Sequence, residues 1–347
     1  MTDDGRRHAD NLNEQSPVPV GRAFLGGVLM GLANLVPGIS GGTMLVACGI
    51  YRRFIDAISS ATRFRLTRNT LLMLGMVIAG GVMSVAGLAN AISWALAEHR
   101  WVMYSLFIGL TLGGLPILWK LASPIRRDVW GGVVLGAVLM GGLVYLQESG
   151  VGGAGLSGPF GLAAGGASAA GAMILPGVSG AFLLLLLGQY EPIIDAIKDT
   201  VGAIKNTDAQ ELARQMKVVI PVGIGVVVGV VGVSNLLRWL MHRFERPTLG
   251  VLMGLLIAAP AGLYPFRAGV EPQIGDVLGG AVVAEENLAE MRSVENSKDW
   301  SQEAYTPSPT QIAGSLGLII AGFGATLGIA MLGRDKPDRT RQGDQGD

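Results

Sequence analysis

Two short stretches carry the residue types on which chemistry could rest: Pro-Gly-Ile-Ser-Gly-Gly-Thr at 37–43 and Pro-Gly-Val-Ser-Gly at 176–180. Proline and glycine make a tight turn, and serine suits the N-cap of a helix that leaves it. The first N–H groups of that helix have no intrahelical partner and lie at the positive end of its dipole, a favourable place for an anion such as phosphate. Ser40, Gly41, Gly42 and Thr43, with Ser179 and Gly180, are therefore candidate ligands, and Pro37, Gly38, Pro176 and Gly177 shape the turns. A serine that only caps its own helix accounts for the same residues without a ligand.

Charged side chains follow each motif. Arg52 and Arg53 could hold a phosphate in bidentate fashion, or could serve as topology signals and lipid-headgroup anchors. Their counterparts in the second stretch are Glu191 and Pro192. Asp56 and Asp195 recur in both copies; with Glu191 they are candidates for carrying coupling protons, and local pairing at the membrane edge is the alternative. Arg238, one turn from a helix end, is expected to snorkel. His8, His99 and His242 are scattered, so no metal cluster is visible, and Cys48 is the single cysteine. No histidine or carboxylate stands immediately beside Ser40 or Ser179, which leaves phosphoryl-transfer catalysis without a base. Neither a catalytic residue, a metal nor a cofactor is expected.

The two motifs are one sentence written twice. Between 37–58 and 176–197, 11 of 22 positions are identical at a constant offset of 139, including Gly49/Gly188, Tyr51/Tyr190 and Asp56/Asp195. Further on, Gly87/Gly232, Asn90/Asn235, Trp94/Trp239 and Gly109/Gly254 fall in register at 145. The duplication thus covers both halves.

The elements that hold these turns must lie in a membrane. Charged residues are 15% of the chain, against roughly 25% in soluble proteins, and eight charge-free apolar runs are long enough to enter a bilayer. Net charge is zero, which argues against nucleic acid as a partner. The run from Ala23 to Tyr51 is too long for one straight crossing, since 29 helical residues span about 43 Å against a core of about 30 Å. The Pro-Gly pair at its centre predicts a re-entrant hairpin of two pieces of about 14 residues, which keeps the N-terminal tail and a basic loop with Arg52, Arg53, Arg63, Arg65 and Arg68 on one cytoplasmic side. Three crossings near 71–97, 101–119 and 129–147 then place the second hairpin on the opposite face; crossings near 217–241, 247–266 and 311–332 follow it, and 191–216 reads as a loop.

The expected fold is therefore all-α and polytopic, with two inverted-topology repeats, each a re-entrant helical hairpin plus three transmembrane helices. Residues 1–21 form a disordered cytoplasmic tail. The first membrane repeat is 22–150 with its hairpin at 23–51. The second is 151–332, with its hairpin at 159–190 and an acidic extracytoplasmic insert at 267–309; 333–347 is a cytoplasmic tail. Inverted repeats suit carriers that open alternately to two sides.

With "ANLVPGISGGT" at 33–43, "LPGVSGAFLLLLLGQY" at 175–190, and "GL" followed by small residues and proline in 109–116 and 254–260, the chain resembles the bacterial polyprenyl-phosphate transporters over roughly residues 22–332. The resemblance implies translocation of undecaprenyl phosphate from the outer to the inner leaflet of the bacterial cytoplasmic (inner) membrane, for recycling in cell-wall synthesis. Its implied partners are that carrier lipid and membrane lipids. The insert at 267–309 is unusual for the family. Two alternatives share the helix termini: a transporter of a small soluble anion, and a membrane polyprenyl-pyrophosphate phosphatase. The phosphatases carry arginine after the motif serine, where this chain has Gly41 and Gly180.

Overall fold

In the computed structural model, residues 18–35, 39–149, 158–278, 281–292 and 302–332 are described. Pro37, Gly38 and most of both expected tails lie outside them. The first half runs α1 (Val20–Asn34), α2 (Gly41–Ala47), α3 (Tyr51–Thr62), α4 (Arg68–Glu98), α5 (Arg100–Leu112), α6 (Leu115–Ala122) and α7 (Arg127–Glu148). The second runs α8 (Gly158–Ile174), α9 (Gly180–Leu186), α10 (Tyr190–Lys205), α11 (Ala209–Arg243) and α12 (Glu245–Gly262), then an insert with the short α13 (Leu288–Met291), then α14 (Pro309–Leu332). The all-helical expectation yields only in the insert, where β1 (Arg267–Gly269) pairs antiparallel with β4 (Gln302–Ala304), and β2 (Val277–Leu278) with β3 (Ala281–Val282).

Five segments are long and apolar enough to cross a bilayer: Arg68–Leu88, Arg100–Ala122, Arg127–Leu146, Ala209–Arg243 and Pro309–Met331. The protein is a multi-pass membrane protein. The remaining expected crossing is α12, which opens on Glu245 and Arg246 and so is less apolar, yet it is an interior helix: Leu249, Leu252 and Leu256 are fully buried.

Two stretches read as loops are helical. The basic segment after the first motif is α3, and 191–216 holds most of α10 and the start of α11. In α3, Phe54, Ile55 and Ile58 bury one face while Arg52, Arg53 and Asp56 are only half-buried, an amphipathic arrangement that a charge count passes over.

The duplication is repeated contact for contact. A Cβ on Gly27 of α1 would stand 2.1 Å from the Val77 carbonyl oxygen of α4, and one on Gly80 would stand 2.3 Å from that of Phe24. The same registers put Gly166 of α8 against the Val222 oxygen at 2.4 Å and Gly225 of α11 against that of Ala163 at 2.0 Å. Glycine lets these backbones touch, the usual means of joining helices where no hydrophobic effect drives them together. The other two tight pairings cross between the halves. A Cβ on Gly109 of α5 would stand 2.2 Å from the Ile319 carbonyl oxygen of α14, and one on its repeat, Gly254 of α12, would stand 2.1 Å from that of Val133 in α7. Each half therefore lends one helix to the other.

Candidate functional site

Both motifs fold as hairpins. A Cβ on Gly41 would reach Met30 at 2.8 Å and one on Gly26 would reach Ile50 at 2.7 Å, so α2 runs back along α1. In the second copy a Cβ on Gly180 would lie 2.7 Å from the Ala169 carbonyl oxygen, and one on Gly165 would lie 2.9 Å from Gln189. The returning arms α2 and α9 have seven residues each, half the expected length. Gly49 and Gly188, with φ of 67° and 64°, stop them. Ile50 N–H bonds to the Leu45 carbonyl and Gly49 N–H to that of Val46; Gln189 to Leu184 and Gly188 to Leu185 repeat the pattern. This is a Schellman ending, in which a left-handed residue closes the helix and glycine takes that conformation without strain.

The two motifs meet where the hairpins cross. Ser40 and Ser179 occupy the N-cap positions with nearly equal backbone angles, φ −97° and −89° with ψ 127° in both, but neither side chain caps its helix. The Ser40 hydroxyl instead donates across to the Leu175 carbonyl at 2.6 Å, and the Gly177 N–H donates to the Thr43 hydroxyl at 2.9 Å. Tyr51 donates to the Ile174 carbonyl at 3.0 Å. Gly42 lets the chains cross this closely, since a Cβ there would lie 2.5 Å from the Ile174 oxygen. Gly177 sits at φ 86° against the Leu255 backbone. Ser40, Thr43 and Ser179 are all buried, as is Pro176. The structure thus brings together Ser40, Gly41, Gly42, Thr43, Pro176, Gly177, Ser179 and Gly180.

The charged candidates lie away from this junction. Arg52 forms an ion pair with Glu245 at 2.7 Å, and Asp56 one with Arg238 at 3.5 Å, both joining α3 to the second half. Arg238 therefore pairs rather than snorkels. One turn further, Ser59 donates to Asn235 at 2.8 Å, and the Asn235 amide donates to Thr62 at 3.0 Å. Arg53 is half-buried on α3, Asp195 is exposed on α10, and Glu191 is the second residue of α10. Sequence reasoning overlooks Tyr51 and Asn235 as contact makers, although both are duplicated positions, and it overlooks Glu245 as well. Among the described residues no group of histidine, cysteine and acidic side chains is arranged to hold a metal.

Beside the second turn lies an apolar cavity of about 850 Å³, lined by α7, α11 and α12 together with Leu175, Val178 and Leu183. Thr248 is the one side chain with a hydroxyl on its wall, and that hydroxyl is bonded to the Phe244 carbonyl at 2.7 Å.

A family described as "undecaprenyl phosphate translocase-like" matches residues 30–276. A polyprenyl-phosphate transporter of Vibrio cholerae is 28% identical over 326 residues, covering 88% of this chain and 94% of its own. One of Staphylococcus aureus is 27% identical over 252 residues, 70% of this chain and 85% of its own. No solved structure matches. The family match takes in both motifs and most of both halves, and the chain belongs to the undecaprenyl phosphate translocase-like family.

Proposed function

We propose that this protein carries undecaprenyl phosphate, or a related polyprenyl-phosphate lipid, from the outer to the inner leaflet of the bacterial cytoplasmic membrane, as a transporter and not an enzyme. The observation that carries the reading is the hydrogen-bonded crossing of the two turns. Three donors are spent there on the protein itself: the Ser40 and Tyr51 hydroxyls and the Gly177 N–H. Parting the turns would release all three into the space between the hairpins. A phosphate monoester offers three strong acceptor oxygens to match them. The apolar cavity favours a lipid over a small soluble anion, because a polyprenyl tail can stay among its side chains while the headgroup passes between the hairpins.

Opposed hairpins give such a site two entrances. Three spans lie between the first hairpin and the second, an odd number, so the repeats have inverted topology and the turns are approached from opposite faces. Domain limits at 22–150 and 151–332 follow from the same division.

In proteoliposomes, a labelled polyprenyl phosphate should change leaflet when the protein is present, and unlabelled lipid phosphate should compete where a neutral polyprenol does not. Equal competition by the neutral alcohol defeats the phosphate site. Sidedness is read separately in a Cys48→Ala background: Leu66→Cys should be labelled by an impermeant thiol reagent from the cytoplasm and Asn206→Cys from outside. Labelling of both from one side defeats the inversion.

A further inference from the structure

The Arg52–Glu245 ion pair has a counterpart that the repeat itself defines. Adding 139 to Arg52 gives Glu191, and subtracting 145 from Glu245 gives Arg100: the same two charges with their places exchanged. The backbone bears out both equivalences. Arg100 and Glu245 are the first residues of α5 and α12, after His99 at φ −132°, ψ 44° and Phe244 at φ −133°, ψ 51°. Arg52 and Glu191 are the second residues of α3 and α10, each after a tyrosine, and the N-caps Ile50 and Gln189 have φ −110°, ψ 0° and φ −106°, ψ −1°.

The two arginines are not in the same condition. Arg52 NH1 lies 2.7 Å from the Glu245 carboxylate. The Arg100 guanidinium lies over the Tyr104 ring at 4.7 Å and donates to its hydroxyl at 3.3 Å, while its Nε is buried with no hydrogen-bond partner among the described residues. A buried guanidinium N–H without an acceptor is costly, and a carboxylate is its strongest complement. Tyr104 packs in one cluster with Ala33, Ile39 and Met44, which flank the first turn, so Arg100 lies against the residues that surround that turn.

We propose that Arg100 and Glu191 are positioning residues for translocation: they form the ion pair that closes the second face when Arg52–Glu245 opens the first. The inference rests on the alternating reading above. Exchanging one Arg–Glu couple for another of the same kind leaves the two closed states near in energy, as a two-way carrier requires, because a large imbalance would strand it on one side.

Charge reversal tests it in proteoliposomes holding the full chain and labelled polyprenyl phosphate. Arg100→Glu and Glu191→Arg should each slow leaflet exchange roughly tenfold, and the double variant should recover to within about threefold of the parent, as for a directly coupled pair. Losses that multiply in the double variant overturn the pairing. An independent readout uses disulfides in a Cys48→Ala background. Both Arg100→Cys/Glu191→Cys and Arg52→Cys/Glu245→Cys should cross-link under mild oxidation, each arresting exchange until reduced; cross-linking of the second alone overturns the proposal even if the charge variants fold poorly. Failure of the parent protein to move the lipid would instead remove the translocation reading, and so is told apart from failure of the gate.

Discussion

The first hairpin and the second have the same backbone and different surroundings. Every residue of α2 from Gly41 to Ala47 is buried, whereas in α9 only Phe182 and Leu184 are, and Leu185 is half-exposed. Behind α2, α3 is tied to the second half through Arg52, Asp56 and Ser59; behind α9, α10 exposes Asp195, Ile197, Val201 and Ile204. Local sequence fixes the hairpin, because the shared Ser-Gly start and the Gly49/Gly188 ending need only neighbouring residues. Its burial is set by what docks on it. On the alternating reading proposed above, the two hairpins are expected to differ in this manner in any one conformation.

The largest effect should come where the halves cross. Gly42→Val must displace the Ile174 carbonyl, which is backbone and cannot swing aside, so a loss of about 3 kcal/mol or more is expected, at or beyond the usual overpacking cost. The equivalent position in the second hairpin is already Ala181, and Ala181→Val should cost much less. Thermal unfolding midpoints of both variants in one detergent check this; equal losses would erase the distinction between the hairpins.

Next come the glycines that end the returning arms. For Gly49→Ala and Gly188→Ala, a Cβ on Gly49 meets no atom and Gly188 is exposed, so the cost is conformational, about 1–2 kcal/mol for a left-handed alanine. Here the hairpins should behave alike, since the strain is local. Unequal shifts in unfolding midpoint would mean that docking, not the turn, sets the ending.

Ser40→Ala should cost about 1 kcal/mol, the loss of one buried hydrogen bond to the Leu175 carbonyl. Ser179→Ala should cost less, because among the described residues the Ser179 hydroxyl makes no bond like that of Ser40 to the facing hairpin. If the two donors also serve the headgroup, both variants lose more transport than stability, which paired unfolding and leaflet-exchange measurements on the same preparation would reveal.

Much of this was legible in the sequence for reasons these variants expose. The hairpins, five of the six expected spans and the duplication rest on Pro-Gly pairs, apolar runs and repeated glycines, which act through local geometry and period. The contacts between the motifs were not legible. Ser40 has two partners of comparable worth, its own helix and the Leu175 carbonyl, and only the packing of α8 beside α2 decides between them. Arg238 likewise finds Asp56 because α3 is a helix and not the basic loop that charge counting suggests; its amphipathic face was there to be read.

The two smallest stability effects should belong to Asp56 and Asp195. The Asp56 carboxylate lies 3.5 Å from Arg238 Nε, with about a third of the Asp56 side chain and a fifth of the Arg238 side chain exposed. Pairs that water can reach contribute about 0–1 kcal/mol, since solvation of the separated charges nearly matches their attraction. Asp56→Asn also leaves Arg238 its contact with the Ser59 hydroxyl at 3.4 Å, so the arginine is not stranded. Its unfolding midpoint should therefore fall slightly, and that of Asp195→Asn, on the exposed face of α10, less still. A double-mutant cycle of Asp56→Asn with Arg238→Gln isolates the pair and should return a coupling below about 1 kcal/mol. A coupling near 3 kcal/mol would mean that the two charges meet in a medium largely closed to water. The tighter docking of the first hairpin would then be held by electrostatics, and not by the glycine crossing that Gly42→Val removes.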